Sequence, residues 1–288
     1  MRILLTGADG FTGRHFVREA TSAGHACLAL RSDLTQPDQI AAELAALEFD
    51  AVVHLAGISF VGHADERAFY DVNLFGTLNL LDAVAARNLP LRSVLLASSA
   101  NVYGNTLNSP IGESEPPAPR NQYAMSKLAM EHMALTRGDK LPLVIARPFN
   151  YTGPGHALSF VIPKLVDHFR RHAPEVSLGN LHVEREYNDV RYVCAAYLRL
   201  LQAPPLGEAV NICSGTTYDF ERVLALLREL TGHAIDVQVD PNLVRTNEIH
   251  RLCGDPTRLL AATGPLPSFT LRDTLAWMLE SPSPDTAP

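Results

Sequence analysis

Short, nearly uninterrupted apolar blocks alternate with longer amphipathic stretches along this chain. A strand starting at residue 2, Ala26 to Leu30, Ala51 to Gly57 and Leu91 to Ala97 are apolar at almost every position, as expected of strands buried on both faces. Between them lie stretches with helical period: about Phe11 to Ser22, Pro37 to Leu47, and Glu66 to Arg87. The last carries Phe69, Val72, Phe75, Leu78, Leu81 and Val84, with Asn73 and Gly76 interrupting the apolar face. A further helix is expected from Tyr123 to about Thr136, after a polar, proline-bearing loop from about Asn105 to Asn121. Strands alternating with helices predict an α/β chain, and 288 residues suffice for one large domain or two smaller ones.

The first strand runs straight into Thr6-Gly7-Ala8-Asp9-Gly10-Phe11-Thr12-Gly13, three glycines spaced three apart. Gly7 suits the tight turn from strand to helix, Gly10 has no side chain to hold a pyrophosphate away, and Gly13 lets the helix press on the strand. The helix then aims free N–H groups and its positive dipole end at the phosphates. The spacing differs from G-x-G-x-x-G, but the order of strand, turn and helix is the one a dinucleotide cradle needs. Ala56 and Gly57, at the end of another strand, allow the same close approach, whereas His54 inside that apolar run reads as a packed, hydrogen-bonded residue. Arg31 ends the second strand, where an acid favours NAD and an arginine can pair with the 2′-phosphate of NADP. NADPH is therefore the expected cofactor. A merely solvated Arg31 leaves NADH open. Asp33 either contacts adenine or complements the dipole of the helix beginning near Pro37.

Composition narrows the class. At 47% hydrophobic and 19% charged residues, with no long uncharged apolar run, the chain reads as globular rather than disordered or membrane-spanning. The formal net charge of −7 argues against nucleic acid as a partner, though local arginines can still hold one diphosphate. Cys27, Cys194, Cys213 and Cys253 are scattered without a C-x-x-C pair, and Met1-Arg2-Ile3 enters a strand at once. Reduced thiols and a cytoplasmic location are expected. His168 and His172 lie one turn apart with no third ligand nearby, so no metal site is expected.

The strand ending near Ala97 delivers Ser98-Ser99-Ala100-Asn101-Val102-Tyr103-Gly104 at its C-terminal edge, where open α/β sheets place their chemistry. Tyr123-Ala124-Met125-Ser126-Lys127 then opens a helix with the phenol and the ammonium one turn apart on one face, an arrangement in which the cation favours the ionised phenol.

Thr6-Gly7-x-x-Gly10-Phe11-x-Gly13, His54-Leu55-Ala56, Val72-Asn73, Ser98-Ser99-x-x-Val102-Tyr103-Gly104, Tyr123-x-x-x-Lys127 and Arg147-Pro148-Phe149-Asn150 occur in an order that resembles the extended short-chain dehydrogenase/reductases acting on nucleotide-diphospho-sugars. The later segments Gly153-Pro154-Gly155, Gly179-Asn180-Leu181, Arg185-Glu186-Tyr187-Asn188-Asp189-Val190-Arg191 and Asn211-Ile212-Cys213-Ser214-Gly215 are similar to those of GDP-4-keto-6-deoxy-D-mannose reductases, which make GDP-D-rhamnose. The resemblance implies a Rossmann-like, doubly wound parallel sheet with a smaller C-terminal α/β substrate lobe. It places a dinucleotide-binding domain at 1–150, to which about 184–201 return, a lobe at 151–183 and 202–280, and a tail at 281–288.

For chemistry, the resemblance implies Tyr123 as proton donor, Lys127 as the group that lowers the tyrosine pKa and holds the nicotinamide ribose, and Ser99 as hydrogen-bond partner of the ketone oxygen. Gly7, Gly10, Phe11, Thr12, Gly13, Arg31, Asp33, Leu34, Leu55, Ala56, Gly57, Asn73 and Pro148 are its further cofactor positions. Ser99, Asn150, Asn180, Arg185, Arg245 and Glu248 face the substrate, with the two arginines suited to a diphosphate. A homodimer through the long helix near residue 75 and the Tyr/Lys helix is implied as well. The alternatives are a sugar 4-epimerase using the same Ser, Tyr and Lys, a 4,6-dehydratase, disfavoured because Asn101 stands where that chemistry carries Glu, and a dinucleotide sensor without catalysis.

Overall fold

The structure, a computed structural model, describes residues 1–244 and 249–282. In chain order the first half gives β1 (Arg2–Thr6), α1 (Phe11–Ser22), β2 (Ala26–Ala29), α2 (Pro37–Leu44), β3 (Ala51–His54), α3 (Glu66–Ala68), α4 (Thr77–Ala86), β4 (Ser93–Ala97), α5 (Gln122–Leu135) and β5 (Leu143–Pro148). The second half adds β6 (Tyr151–Thr152), α6 (Val161–Arg170), β7 (Glu175–Leu178), β8 (Glu184–Arg185), β9 (Asn188–Asp189), α7 (Val190–Gln202), β10 (Ala209–Ile212), α8 (Phe220–Thr231), β11 (Asp236–Val239), β12 (Arg251–Leu252), α9 (Thr257–Thr263) and α10 (Leu271–Glu280).

Six strands form one parallel sheet in the order β10-β5-β4-β3-β1-β2. Successive side chains of each strand go to opposite faces, which is why the strands are apolar throughout. Ile3, Leu5 and Val53 bury against Phe16 of α1 and Val193, Ala196 and Tyr197 of α7, while Leu4, Val52, Val94 and Leu96 bury against Ile40, Leu80, Leu81 and Met130 on the other side. This is the expected doubly wound arrangement. A separate core joins Leu165 and Phe169 of α6, Val176 and Leu178 of β7, Val223 and Leu227 of α8, and Leu275 of α10.

The chain expected as lobe at 202–280 contributes to the sheet as well. Val210 and Ile212 of β10 are buried beside β5, and Leu259 of α9 packs in the same core, because β5 otherwise ends the sheet with an unpaired edge and bare apolar faces. The long helix also departs from the uniform α winding expected of it. Phe69–Gly76 between α3 and α4 is π-helical. Here Asn73 binds both backbone groups of Ile58, accepting from its N–H at 2.8 Å and donating to its carbonyl at 3.1 Å, and donates to Ser126 Oγ at 3.1 Å. A Cβ on Gly76 would come within 2.8 Å of Leu34 Cβ. Tertiary partners at these positions favour the wider turn.

His54 is buried and bonded at both nitrogens, to Thr6 Oγ1 at 2.7 Å and Thr77 Oγ1 at 2.8 Å. Thr77 donates to the Asn73 carbonyl, which assigns the Nε2–H to His54, and Thr6 Oγ1 accepts from the N–H groups of Leu55 and Ala56, which leaves its own proton for Nδ1. Burial, with the nearby Lys127 charge, lowers the imidazole pKa to about 3. The unfolded chain therefore takes up this proton near pH 6.5 and the folded one does not, so stability is intact above pH 6.5 and falls as pH drops toward 3. Urea unfolding at pH 7 and pH 5 should show His54→Gln losing about 2 kcal/mol less than wild type between the two. Equal losses would remove His54 from the acid response.

Candidate active site

The chain leaves β1 toward β2 and returns to β3 on the other side, so a crevice opens at the carboxyl ends of β1 and β3. Gly7 sits there with φ +70°, and a Cβ on it would lie 2.8 Å from Ala56 N. A Cβ on Gly13 would lie 2.0 Å from the Gly7 carbonyl oxygen, so Gly13 is required for α1 to start where it does. The first turn of α1 has no side-chain cap and no acid. Uncapped N–H groups facing a cradle that a Cβ would fill fit the diphosphate of a dinucleotide. Phe11 stacks on His156 at 4.3 Å, and Thr12 shares a hydrogen bond of 2.8 Å with the Tyr151 hydroxyl.

At the end of β4, Ser99 Oγ accepts from the Asn101 N–H at 3.2 Å and so fixes the following turn. Asn121 caps α5 by accepting from the Ala124 N–H at 2.8 Å, and this sets Tyr123 in the first turn beside the serine. The Ser99 hydroxyl lies beside the Tyr123 phenol. Burial raises the phenol pKa, and the neighbouring Ser99 hydroxyl only partly offsets it. The ammonium of Lys127 donates to the Ala97 carbonyl at 2.8 Å, and burial lowers its pKa to about 8. The sequence suggested that Lys127 would pull the phenol pKa down. With the ammonium turned to a carbonyl, burial dominates, and Tyr123 keeps its proton at neutral pH.

Beneath these groups runs a buried network that sequence reasoning missed. The Glu131 carboxylate accepts from Ser98 Oγ and takes two bonds from Arg147, Nε at 2.9 Å and Nη2 at 2.6 Å. Arg147 Nη1 donates to the Tyr103 hydroxyl at 2.9 Å, which donates to Asn211 Oδ1 at 2.7 Å. The available signals were Glu131 four residues after Lys127 on the same helix face and an arginine inside an apolar strand.

One cleft of about 750 Å³ joins the glycine cradle to the lobe. Gly7, Gly10, Phe11, Thr12, Gly13, Leu55, Gly57 and Pro148 line its glycine-cradle end, Ser99, Tyr123 and Lys127 its middle, and Asn150, Asn180 and Arg185 its lobe side. Ala56 and Asn73 instead hold the scaffold, the first through its N–H to Thr6 Oγ1 at 3.1 Å. At the end of β2, Arg31 pairs with Asp9 of the glycine turn, both exposed. Asp33 accepts from the N–H and the hydroxyl of Thr35, each at 2.9 Å, and is a turn residue just before α2. Leu34 is buried under Asn79, which donates to its carbonyl at 2.9 Å. Arg185 is buried and donates to the carbonyls of Glu184, Ile249 and His250, so its guanidinium ties down backbone as well as facing the cleft. Lys164, which the sequence did not single out, also lines the lobe side and donates to the Ser177 carbonyl at 2.6 Å. Arg245 and Glu248 lie outside the described residues.

Among the described residues no helix is long and apolar enough to cross a membrane. Residues 3–213 match the NAD dependent epimerase/dehydratase family. The chain is 36% identical over 294 residues to GDP-6-deoxy-D-mannose reductase of Pseudomonas aeruginosa, covering 96% of each chain. It is 34% identical over 270 residues to GDP-6-deoxy-D-talose 4-dehydrogenase of Aggregatibacter actinomycetemcomitans, covering 92% of each. Its fold matches that of RMD from Pseudomonas aeruginosa complexed with NADPH at a TM-score of 0.89 and 36% identity, over 96% of this chain and 97% of that one. A solved structure from Burkholderia cenocepacia J2315 matches at a TM-score of 0.91 and 44% identity, over 97% of each.

Proposed function

Because the chain belongs to the NAD dependent epimerase/dehydratase family, we propose that it is an NADPH-dependent reductase that converts GDP-4-keto-6-deoxy-D-mannose to GDP-D-rhamnose. The observation that carries the reading is the meeting of Ser99, Tyr123 and Lys127 midway along a cleft that has the glycine cradle at one end and lobe residues at the other. Gly7, Gly10, Gly13 and the start of α1 would hold the diphosphate of the cofactor, and Arg31, paired here with Asp9, would meet its 2′-phosphate. When bound, the reduced nicotinamide supplies hydride to the ketone carbon.

The protein's own groups supply the rest. The Ser99 hydroxyl donates to the ketone oxygen, and Tyr123 delivers its proton there as negative charge develops. A phenol kept protonated by burial suits that direction of transfer. Lys127, as a cation, stabilises the phenolate left behind. Asn101 also lines the cleft, and its amide cannot take up and return a proton, which weighs against a 4,6-dehydratase.

Purified protein given GDP-4-keto-6-deoxy-D-mannose should consume NADPH in proportion to the alcohol formed, and NMR of the sugar should show D-rhamnose. The Aggregatibacter relative supports one second reading, the C4 epimer GDP-6-deoxy-D-talose, which the same spectrum distinguishes. Conversion of a GDP-sugar to its 4-epimer without net NADPH loss would instead make the chain an epimerase.

Lys164 and Asn180 are the lobe-side contacts assigned to the substrate diphosphate, with Asn150 toward the sugar. Lys164→Ala is expected to weaken GDP about tenfold by calorimetry, the scale of one charge-assisted bond, with NADPH affinity unchanged. Equal GDP affinity in both proteins removes Lys164 from the site. A homodimer is proposed through the π-helical stretch and α5, whose Phe75, Met125 and Met133 are exposed at 55%, 48% and 44%. Light scattering at the mass of one chain, 31.4 kDa, would exclude it.

A further inference from the structure

Glu131, Arg147 and Ser98 are at most 6% exposed, and of the three only Ser98 reaches the cleft wall. A buried carboxylate with two bonds from one guanidinium and a third from a serine is costly to desolvate and is held only where its partners are complete. Its position ties it to both halves of the site. Glu131 follows Lys127 by one turn of α5, and Ser98 precedes Ser99 at the end of β4.

We propose that Glu131 is a positioning residue: its carboxylate is the counter-charge shared by Lys127 and Arg147, and through Ser98 it fixes the turn that presents the Ser99 hydroxyl. Lys127 faces the Ala97 carbonyl from β4, neutral His54 from β3, and Glu131 from its own helix, with Arg147 of β5 beyond the carboxylate. Of these the carboxylate is the anion. Its field opposes the burial that pulls the ammonium pKa down. The Ser98 bond acts on a second coordinate, since the Ser98 N–H is already held by the Ala146 carbonyl at 2.7 Å and the side-chain bond locks the remaining rotation before Ser99.

The kinetic arm of the test rests on the ketoreductase reading, and the chemical arm does not. Acetylation of Lys127 by acetic anhydride, followed by peptide mass spectrometry across pH, reports the lysine without any substrate. Wild type should titrate near the pKa of about 8 given by its burial. Glu131→Gln should move the midpoint down by about one pH unit, and Glu131→Asp, which keeps the charge, should restore most of it. Ser98→Ala should leave the midpoint in place and lower kcat about tenfold with KM within twofold, because the charge stays while Ser99 loses its alignment. A Glu131→Gln midpoint equal to wild type, or a Ser98→Ala enzyme with wild-type kcat, overturns the proposal. If Glu131→Gln does not fold, the Ser98→Ala kinetics decide. If wild type turns over no GDP-keto-sugar, the functional reading fails and the lysine titration alone still decides this inference.

Discussion

Tyr123→Phe is expected to lower ketone reduction by about 10³-fold while NADPH binds as in wild type. The phenol is buried against Ser99, and its pKa is raised, so at neutral pH it carries the proton that the developing alkoxide needs. Removing one hydroxyl leaves ring packing intact, including the contact with Phe69 at 6.0 Å, so the loss falls on proton delivery rather than on the fold. Single-turnover kinetics with an NADPH fluorescence titration checks both halves. Undiminished turnover would take Tyr123 out of the mechanism. A protein that binds NADPH and reduces no nucleotide ketosugar even as wild type would be a sensor instead.

The second large effect is expected at Gly13. A methyl group there would sit 2.0 Å from the Gly7 carbonyl oxygen and 2.7 Å from Ala8 Cα, both backbone atoms that cannot swing aside. The turn must open, and the N–H groups of α1 lose their aim at the diphosphate. Gly13→Ala should weaken NADPH by at least about 100-fold and lower stability by about 1–3 kcal/mol. Gly10→Ala is the internal comparison. Its Cβ would meet the same oxygen at 3.2 Å, a contact relieved by a few tenths of an ångström, so its effect on affinity should be much smaller. Equal affinities for the two variants would mean that the close approach at Gly13 does not shape the cofactor site.

The sheet was legible because a parallel strand buried on both faces must be apolar at consecutive positions, and β1, β3 and β4 obey that rule without exception at their cores. The boundaries of α1 were legible for a related reason, since Gly10 and Gly24 bracket one amphipathic run. The π-helical turn was not, because Asn73 acts through Ile58 and Ser126, residues remote in sequence. Nor was the return of β10 to the sheet, since four residues beside a cysteine look the same in a lobe or in a core. At the site, the resemblance led to Ser99, Tyr123 and Lys127, which share one cleft, whereas the backbone role of Arg185 left no sign in the sequence. A guanidinium suits phosphate by its chemistry, and only coordinates reveal that three carbonyls already receive it. The Glu131–Arg147 pair was hidden for the same reason: an ion pair between helix and strand leaves no periodic mark.

The way β10, α7 and α9 come back to the sheet after the chain has visited the lobe has a consequence for how such a molecule can change. Neither half is a cassette. A fragment ending near residue 150 would lack its last strand and the cover over Ile3 and Leu5, and would present bare oily surface in place of a finished wall. New substrate preference must therefore arise by replacing individual cleft residues in place, not by grafting a foreign lobe. Any opening of the cleft has to bend several crossing segments together, which confines it to a shallow tilt.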